Sequence, residues 1–389
     1  MTSPSAEFTL LAACCRPPGD PARASAIAKA AAVPIDWARF EHLVARHRVT
    51  GLTAEGLAAC AAVPAPVRQR LADAAARGAA QALSMAAETL RLQRLFDAAG
   101  VPAYVVKGIP LARLAYGNMA LKEQRDIDLV TSRAHLRAAA ALLEEAGYER
   151  EAGEAPLTEP EMALLDAFAK HRGFRHPVSG HLVELHFRLQ LNPSVFADLG
   201  EPPLLQDVPL GGGTVRTLAP DLLHAYLCVH GGGHAWERLK WLADLAALLA
   251  ATNADLSALH GRARTFGAGR ASAVALALCH DLLGVAVPEG ILAEARGSLP
   301  ARLMLRQSHH AVREAREDLR HREGRILRQR ACQLLLVQSP GYVRHELAGL
   351  LASETDARAL RLPPPLRFLY PVMRVPNAAW RALRRRSGG

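Results

Sequence analysis

The segment at residues 125–130, which reads RDIDLV, alternates acidic and apolar residues with a period of two. On an extended strand, side chains two positions apart share a face, so Asp126 and Asp128 project together while Ile127 and Leu129 face a core. Two neighbouring carboxylates repel each other unless a cation lies between them, and Mg²⁺ prefers hard oxygen ligands of this kind. We therefore predict a strand that presents a magnesium-binding carboxylate pair.

The residues around this segment predict further strands and helices. The predicted strands cover residues 103–107, 126–130, 174–177 and 181–189, and the predicted helices between them cover residues 110–116 and 133–146. In the last strand, Glu184 lies among apolar residues and shares a face with His186. A carboxylate is costly to bury without a partner. We therefore expect Glu184 to be a third metal ligand.

The composition favours helices in the rest of the chain. Half of the 389 residues are hydrophobic and only 5% are aromatic, with many alanines and leucines. We predict an α+β protein in which a small mixed-sheet core is flanked by N-terminal helices and a larger C-terminal helical region. The predicted divisions are an N-terminal helical region at 1–100, the α/β core at 101–219, the C-terminal helical region at 220–360 and a basic tail at 361–389.

The positive charge is concentrated at the C-terminus. Eight arginines and no lysine or acid lie at residues 358–389, and they account for all but two of the formal net charge of +10. This pattern predicts no specific nucleic-acid partner for the folded body. It suits a tail that meets an acidic partner or an anionic membrane surface, or one that is loosely packed. We expect a cytoplasmic protein. The six cysteines are scattered without C-x-x-C spacing, and the sequence shows neither a targeting segment nor a long apolar run.

Four motifs occur in a specific order along the chain. They are Lys107-Gly108, the RDIDLV segment, VELH at residues 183–186, and HGGGHAWERLKWLADL at residues 230–245. Over roughly residues 35 to 250 this order resembles the nucleotidyltransferase superfamily that includes DNA polymerase β. More closely, it resembles a subfamily of uncharacterised bacterial nucleotidyltransferases. The chain departs from the wider superfamily in having Lys107 before a single glycine, where Gly-Ser or Gly-Gly is usual.

The resemblance implies a chemistry and a set of site residues. The implied reaction, with Mg²⁺ or Mn²⁺, moves a nucleoside monophosphate from an NTP to an unidentified small-molecule, peptide or sugar acceptor. Asp126, Asp128 and Glu184 would hold metal, and Glu184 could instead act as a general base. The residues implied to contact the nucleotide are Lys107, Gly108, Arg125, Arg238 and Lys240. The motifs leave two alternatives open. The protein could transfer a phosphoryl group as kinases do, or it could be a catalytically silent nucleotide-binding module.

Some polar residues have both a structural and a functional interpretation. The three glycines after His230 disfavour a helix there, and the spacing of His230 and His234 does not favour a zinc site. A predicted helix at 237–251 places Lys240 and Asp244 one turn apart, where they can form a surface ion pair. His47 and Arg48 either belong to a packing cap or face the substrate. The secondary site candidates are His186, His230, His234 and Asp244.

Overall fold

The computed structural model describes residues 4–151, 157–196, 204–314, 319–351 and Leu366, and the fold is α+β. The strands are β1 Ala103–Val105, β2 Asp126–Thr131, β3 Glu149–Arg150, β4 His171–Arg175, β5 Leu182–His186, β6 Leu205–Leu210 and β7 Gly213–Leu218. The helices are α1 Ala6–Cys14, α2 Arg23–Ala31, α3 Trp37–His47, α4 Thr50–Leu57, α5 Ala65–Ala98, α6 Gly108–Tyr116, α7 Leu136–Glu145, α8 Glu159–Phe168, α9 Pro220–Gly233, α10 Leu239–Ala251, α11 Leu256–Thr265, α12 Gly269–Leu283, α13 Glu289–Gly297, α14 Leu299–Arg313, α15 Leu319–Leu335 and α16 Pro340–Leu351. The arginine-rich tail lies outside the described residues, apart from Leu366.

Within the described ranges, the strands form a five-stranded mixed sheet and a two-stranded sheet. The larger sheet has the order β1-β2-β5-β4-β3, in which β2 and β5 run parallel and the other pairs are antiparallel. The register places Asp128 opposite Glu184 and places His171 opposite His186. One face of three neighbouring strands therefore carries acids and imidazoles.

The opposite face of this sheet is apolar. Ile127 and Leu129 of β2 are buried together with Val183 and Leu185 of β5, against side chains from α5 and α7. The alternation in the sequence produces this division, because a period of two sends every second side chain to the core. Burial of the apolar face thus determines which face presents Asp126 and Asp128.

A second hydrophobic core joins the N-terminal helices to the helices after residue 220. It includes Phe40 of α3, Tyr226 of α9 and the fully buried Trp236. Val106 and Val130, from the polar side of the large sheet, belong to the same core. We call the region between this side of the sheet and helices α9 and α10 the cleft. Across it, Tyr226 of α9 lies near enough to Lys107, and Lys240 of α10 near enough to Asp126, to influence each other's pKa. The division into four segments stays a prediction.

Helix α9 continues through Gly231, Gly232 and Gly233, so the prediction that these glycines interrupt a helix was wrong. Tertiary packing explains the difference. A Cβ atom at Gly231 would lie 2.4 Å from the ring of Trp236, and one at Gly232 would lie 2.6 Å from Leu336. Because glycine has no Cβ, the side chains of Trp236 and Leu336 can approach the helix closely. The burial of these two side chains outweighs the low helix propensity of glycine.

Helix α12 is a core helix. Its residues from Ala271 to Cys279, together with Leu283, are buried, and the apolar ones among them belong to the second core. Among the residues that the structure describes, no helix combines the length and the apolarity needed to cross a membrane.

Candidate active site

Three carboxylates lie on the polar face of β2 and β5. Asp128 and Glu184 are direct neighbours across the parallel ladder, and Asp126 lies one step along the same face of β2. Asp128 is 2% exposed, while Asp126 and Glu184 are partly open to the cleft. The structure therefore brings together the three acids that the sequence analysis selected.

Lys107 forms an ion pair with the central carboxylate. Its ammonium group lies 2.8 Å from Oδ1 of Asp128. Burial alone would lower the pKa of Lys107, but the charge of Asp128 outweighs burial and the pKa is raised. Burial opposes ionisation of Asp128 as well, yet Lys107 and His186 lower its pKa. Both groups are therefore held in their charged forms.

The loop that carries Lys107 has an unusual backbone. Lys107 has φ 63° and ψ −144°, a region that is costly for any residue except glycine. Gly108 follows with φ 51°, and a Cβ there would lie 3.1 Å from the side chain of Gln124. These two residues turn the chain from β1 into α6 and direct the lysine toward β2.

His186 connects the two facing carboxylates. Its Nε2 lies 3.2 Å from Oδ1 of Asp128 and 3.2 Å from Oε2 of Glu184. Burial would raise the pKa of Glu184, but the hydrogen bond from His186 lowers it. Glu184 is therefore ionised at neutral pH. This secondary candidate contacts two of the three predicted acids.

Asp126 differs from the other two acids because its side chain has no hydrogen bond or ion pair within the described residues. Burial raises its pKa, and the negative charge of Asp128 raises it further. A carboxylate left in this condition is stabilised when a cation binds beside it. The residues at this end of β2 thus fit a divalent cation with oxygen ligands.

Asp244 does not form the ion pair with Lys240 that was one of two interpretations of this helix. It accepts hydrogen bonds from the ammonium group of Lys122 and from the hydroxyl of Tyr116, and it is buried. Tyr116 ends α6, which packs against α10, and Lys122 follows the 3-10 helix Met119–Leu121, which packs against α6. These partners are more than 120 positions away in sequence, so a local pattern could not reveal them.

The amine of Lys240 is consequently left without a carboxylate partner among the described residues. Burial lowers its pKa to about 7, and the charge of Lys122 contributes in the same direction. Asp126 lies near enough that each charge shifts the pKa of the other. Lys240 therefore faces the carboxylate site rather than forming a surface ion pair.

Three arginines surround the same end of β2. Arg48 is half-buried, and its pKa is lowered by burial, then by the charges of Arg238 and Arg125. The guanidinium of Arg238 donates to the backbone carbonyl of Arg46, and Arg125 is exposed. His47 is fully buried, and its Nδ1 accepts the backbone N–H of Leu239, the first residue of α10.

Lys170 and His171 also belong to the site, although neither was predicted from the sequence. The predicted strand began at residue 174, whereas β4 begins at His171. Burial lowers the pKa of Lys170, and the charge of Lys107 lowers it further. The His171 ring lies 4.9 Å from that of His186, centroid to centroid. Extending the strand backward with a period of two would have placed His171 on the face of Glu184.

Aromatic rings line the helical side of the cleft. His234 stacks on Trp241 with ring centroids 5.1 Å apart, and His230 lies 4.9 Å from His234 and 6.1 Å from Tyr226. Burial lowers the pKa of His230 strongly, and the charge of Lys107 adds to this effect. His230 is therefore neutral. The residue His234 is exposed at the C-terminal end of α9, although burial lowers the pKa of its imidazole to about 4.

Comparison with known proteins assigns the family. No curated protein and no solved structure matches the chain. The family model described as uncharacterised nucleotidyltransferase matches residues 33–284, which include all four motifs and every strand that the structure describes. Since this match covers more than half of the chain, the protein belongs to the family of uncharacterised nucleotidyltransferases.

Proposed function

We propose that the protein transfers a nucleoside monophosphate from an NTP to a hydroxyl or phosphate of a small molecule, peptide or sugar. The observation that carries this proposal is the placement of three carboxylates on one face of β2 and β5, beside several cations that lack acidic partners in the described part of the chain. Membership of the family supports the general reaction. The relation to the DNA polymerase β superfamily is part of the proposal.

Asp126, Asp128 and Glu184 are the proposed ligands of Mg²⁺, which Mn²⁺ can replace. When bound, the metal orients the triphosphate and neutralises its charge. The low pKa of Glu184 favours the role of ligand over that of general base. A ligand carboxylate must be deprotonated, whereas a general base works best with a pKa near the working pH.

The cations around Asp126 are proposed to position the phosphates. Catalysis of this type depends mainly on orientation and charge neutralisation. Lys240 and Arg48 are the first candidates for this role, because neither has an acidic partner within the described ranges. Lys107 acts differently in the free protein, where it keeps Asp128 ionised. The other proposed phosphate contacts are Gly108, Arg125, Lys170 and Arg238.

The ring of His234 is the proposed stacking surface for the nucleobase. It is held in place by Trp241, against which it stacks. Stacking of a base on an aromatic side chain contributes about 1–3 kcal/mol. This arrangement would bring the base to the helical side of the cleft and the phosphates to the sheet.

Binding of Mg²⁺ and NTP can be tested by thermal and urea unfolding with non-hydrolysable analogues. A ligand at about 100 times its Kd should add roughly 2.7 kcal/mol to the free energy of unfolding. Asp126→Asn should abolish this gain, while Asp207→Asn, at an exposed acid of β6, should keep it. Absence of stabilisation by all four NTPs would contradict the proposed function.

The type of transfer can be tested with NTPs labelled at the α or the γ phosphorus, in the presence of a cell extract as the acceptor source. Transfer of the α label to extract components is the expected result. Transfer of the γ label alone would indicate a kinase. If NTP binds and neither label moves, the protein is a silent binding module.

A further inference from the structure

We propose that His171, Glu184 and His186 form a second divalent-metal site, which takes a transition-metal ion such as Zn²⁺ or Co²⁺. This site adjoins the proposed Mg²⁺ position at Asp126, Asp128 and Glu184, and the carboxylate of Glu184 belongs to both. It requires no nucleotide, so it holds or fails independently of the proposed function.

The sheet holds the three side chains in one cluster. Glu184 and His186 lie two positions apart on β5 and so share a face, and His171 is the direct partner of His186 on β4. One potential ligand atom from each side chain can be chosen so that all three lie within 4.8 Å of one another. Ligands on paired strands are held more rigidly than ligands on loops.

The spacing of the ligand atoms suits a small ion. Nε2 of His186 and Oε2 of Glu184 are 3.2 Å apart. Two ligands that bind a tetrahedral Zn²⁺ at about 2.0–2.2 Å are separated by roughly 3.3–3.6 Å. This pair therefore needs almost no rearrangement.

His171 has an unused nitrogen. Its Nδ1 is buried and has no hydrogen-bond partner among the described residues. Its ring is tilted by 38° to that of His186, so the two imidazoles are not stacked face to face. Buried polar atoms in native proteins are seldom left unpaired, and a metal ion bound at this nitrogen would satisfy it.

The ligand types select the metal. Two imidazoles and one carboxylate suit Zn²⁺ and Co²⁺, whereas Mg²⁺ prefers a shell made only of oxygen. Three protein ligands also leave a coordination position open to water or substrate, as in catalytic zinc sites. The charge of Asp128, next to His186, further favours a cation here.

The test uses the full chain without an affinity tag, titrated with Co²⁺ alone and followed by visible absorption. We expect one equivalent to bind and to give ligand-field bands. His171→Ala should weaken binding by at least about tenfold, because a direct ligand is lost. The matched control is His176→Ala, which removes a partly exposed imidazole from the turn after β4 and should leave binding unchanged.

A second measurement needs no variant. The proton NMR spectrum of the Co²⁺ form should show two exchangeable imidazole signals with large paramagnetic shifts. The proposal would be overturned if fewer than two such signals appeared. It would also be overturned if His171→Ala bound Co²⁺ as tightly as the unmodified chain, or if His171→Ala and His176→Ala lost Co²⁺ affinity equally. If Co²⁺ binds as expected while Mg²⁺ and NTP do not, the metal site stands and the proposed function fails.

Discussion

The ammonium group of Lys107 lies 2.8 Å from the carboxylate of Asp128, and this ion pair joins the loop before α6 to the middle of β2. The side chains of the two residues are 19% and 2% exposed. A buried charge that loses its partner is strongly destabilising, even where the pair as a whole contributes little. The pair is therefore required to keep the carboxylate charged inside the fold.

Replacement of Lys107 by methionine tests whether the charged Asp128 needs this partner. Lys107→Met should lower the free energy of unfolding by about 3–5 kcal/mol, because Asp128 keeps its charge and loses its main partner. The double variant Lys107→Met/Asp128→Asn should be less destabilised than the single one. Urea unfolding of the three proteins measures the coupling.

The control for this experiment is Arg137→Met, which breaks the exposed ion pair of Arg137 with Glu159. Exposed pairs contribute about 0–1 kcal/mol, so the change should be small. A loss at Lys107 no greater than the loss at Arg137 would show that the buried pair does not stabilise the site.

Removal of the charge at Asp126 should stabilise the free protein. Burial and the charge of Asp128 raise the pKa of Asp126, so folding disfavours its ionised form. This cost is fully present above the raised pKa and disappears as the pH falls below the ordinary value. At pH 7 we therefore expect Asp126→Asn to raise Tm while it abolishes the roughly 2.7 kcal/mol gain from Mg²⁺ and NTP. A lower Tm with retained ligand stabilisation would assign Asp126 a structural role.

The candidate site was partly predictable because the relevant information is local. The alternation around Asp126 and Asp128 determines which residues face the core, and the same period places Glu184 beside His186. The pairing of β2 with β5 is not local. Its parallel register places Asp128 opposite Glu184 and so brings the acids together. The predicted strand at 126–130 ends one residue before β2 does, whereas the predicted strand at 181–189 extends three residues past the end of β5.

The remaining parts of the site depend on contacts between distant segments. Lys170 and His171 were missed because the start of β4 has no apolar alternation, and its position follows from pairing with β5. The partners of Asp244 come from α6 and the following 3-10 helix. The course of α9 through its glycines depends on Trp236, which folds back against that helix. Sequence periodicity carries none of these relations.

The glycines of α9 offer a test of this packing. Gly231→Ala should destabilise the protein by about 1–3 kcal/mol, because the added methyl group collides with the buried ring of Trp236. Gly233→Ala is the control, since nothing lies within 4 Å of a Cβ there. It should be neutral or stabilising by up to about 1 kcal/mol, as alanine favours the helix. Equal effects of the two substitutions on urea unfolding would refute the packing explanation.

The amine of Lys240 should make nucleotide binding dependent on pH. Burial, with the charge of Lys122, lowers the pKa of Lys240 to about 7, so the free protein loses this proton as the pH rises through neutrality. A bound phosphate favours the charged amine, so binding above pH 7 must take up a proton. The affinity for Mg²⁺ and NTP should then fall by up to about tenfold per pH unit.

Calorimetry in buffers of different ionisation enthalpy measures this proton uptake directly. At pH 8 we expect close to one proton per bound nucleotide for the unmodified chain and close to none for Lys240→Arg, because arginine stays charged. Arg94→Lys, at a residue whose guanidinium bonds the carbonyl of Gly212 away from the cleft, should behave like the unmodified chain. The same uptake in Lys240→Arg would assign the proton to another group and remove Lys240 from the phosphate site.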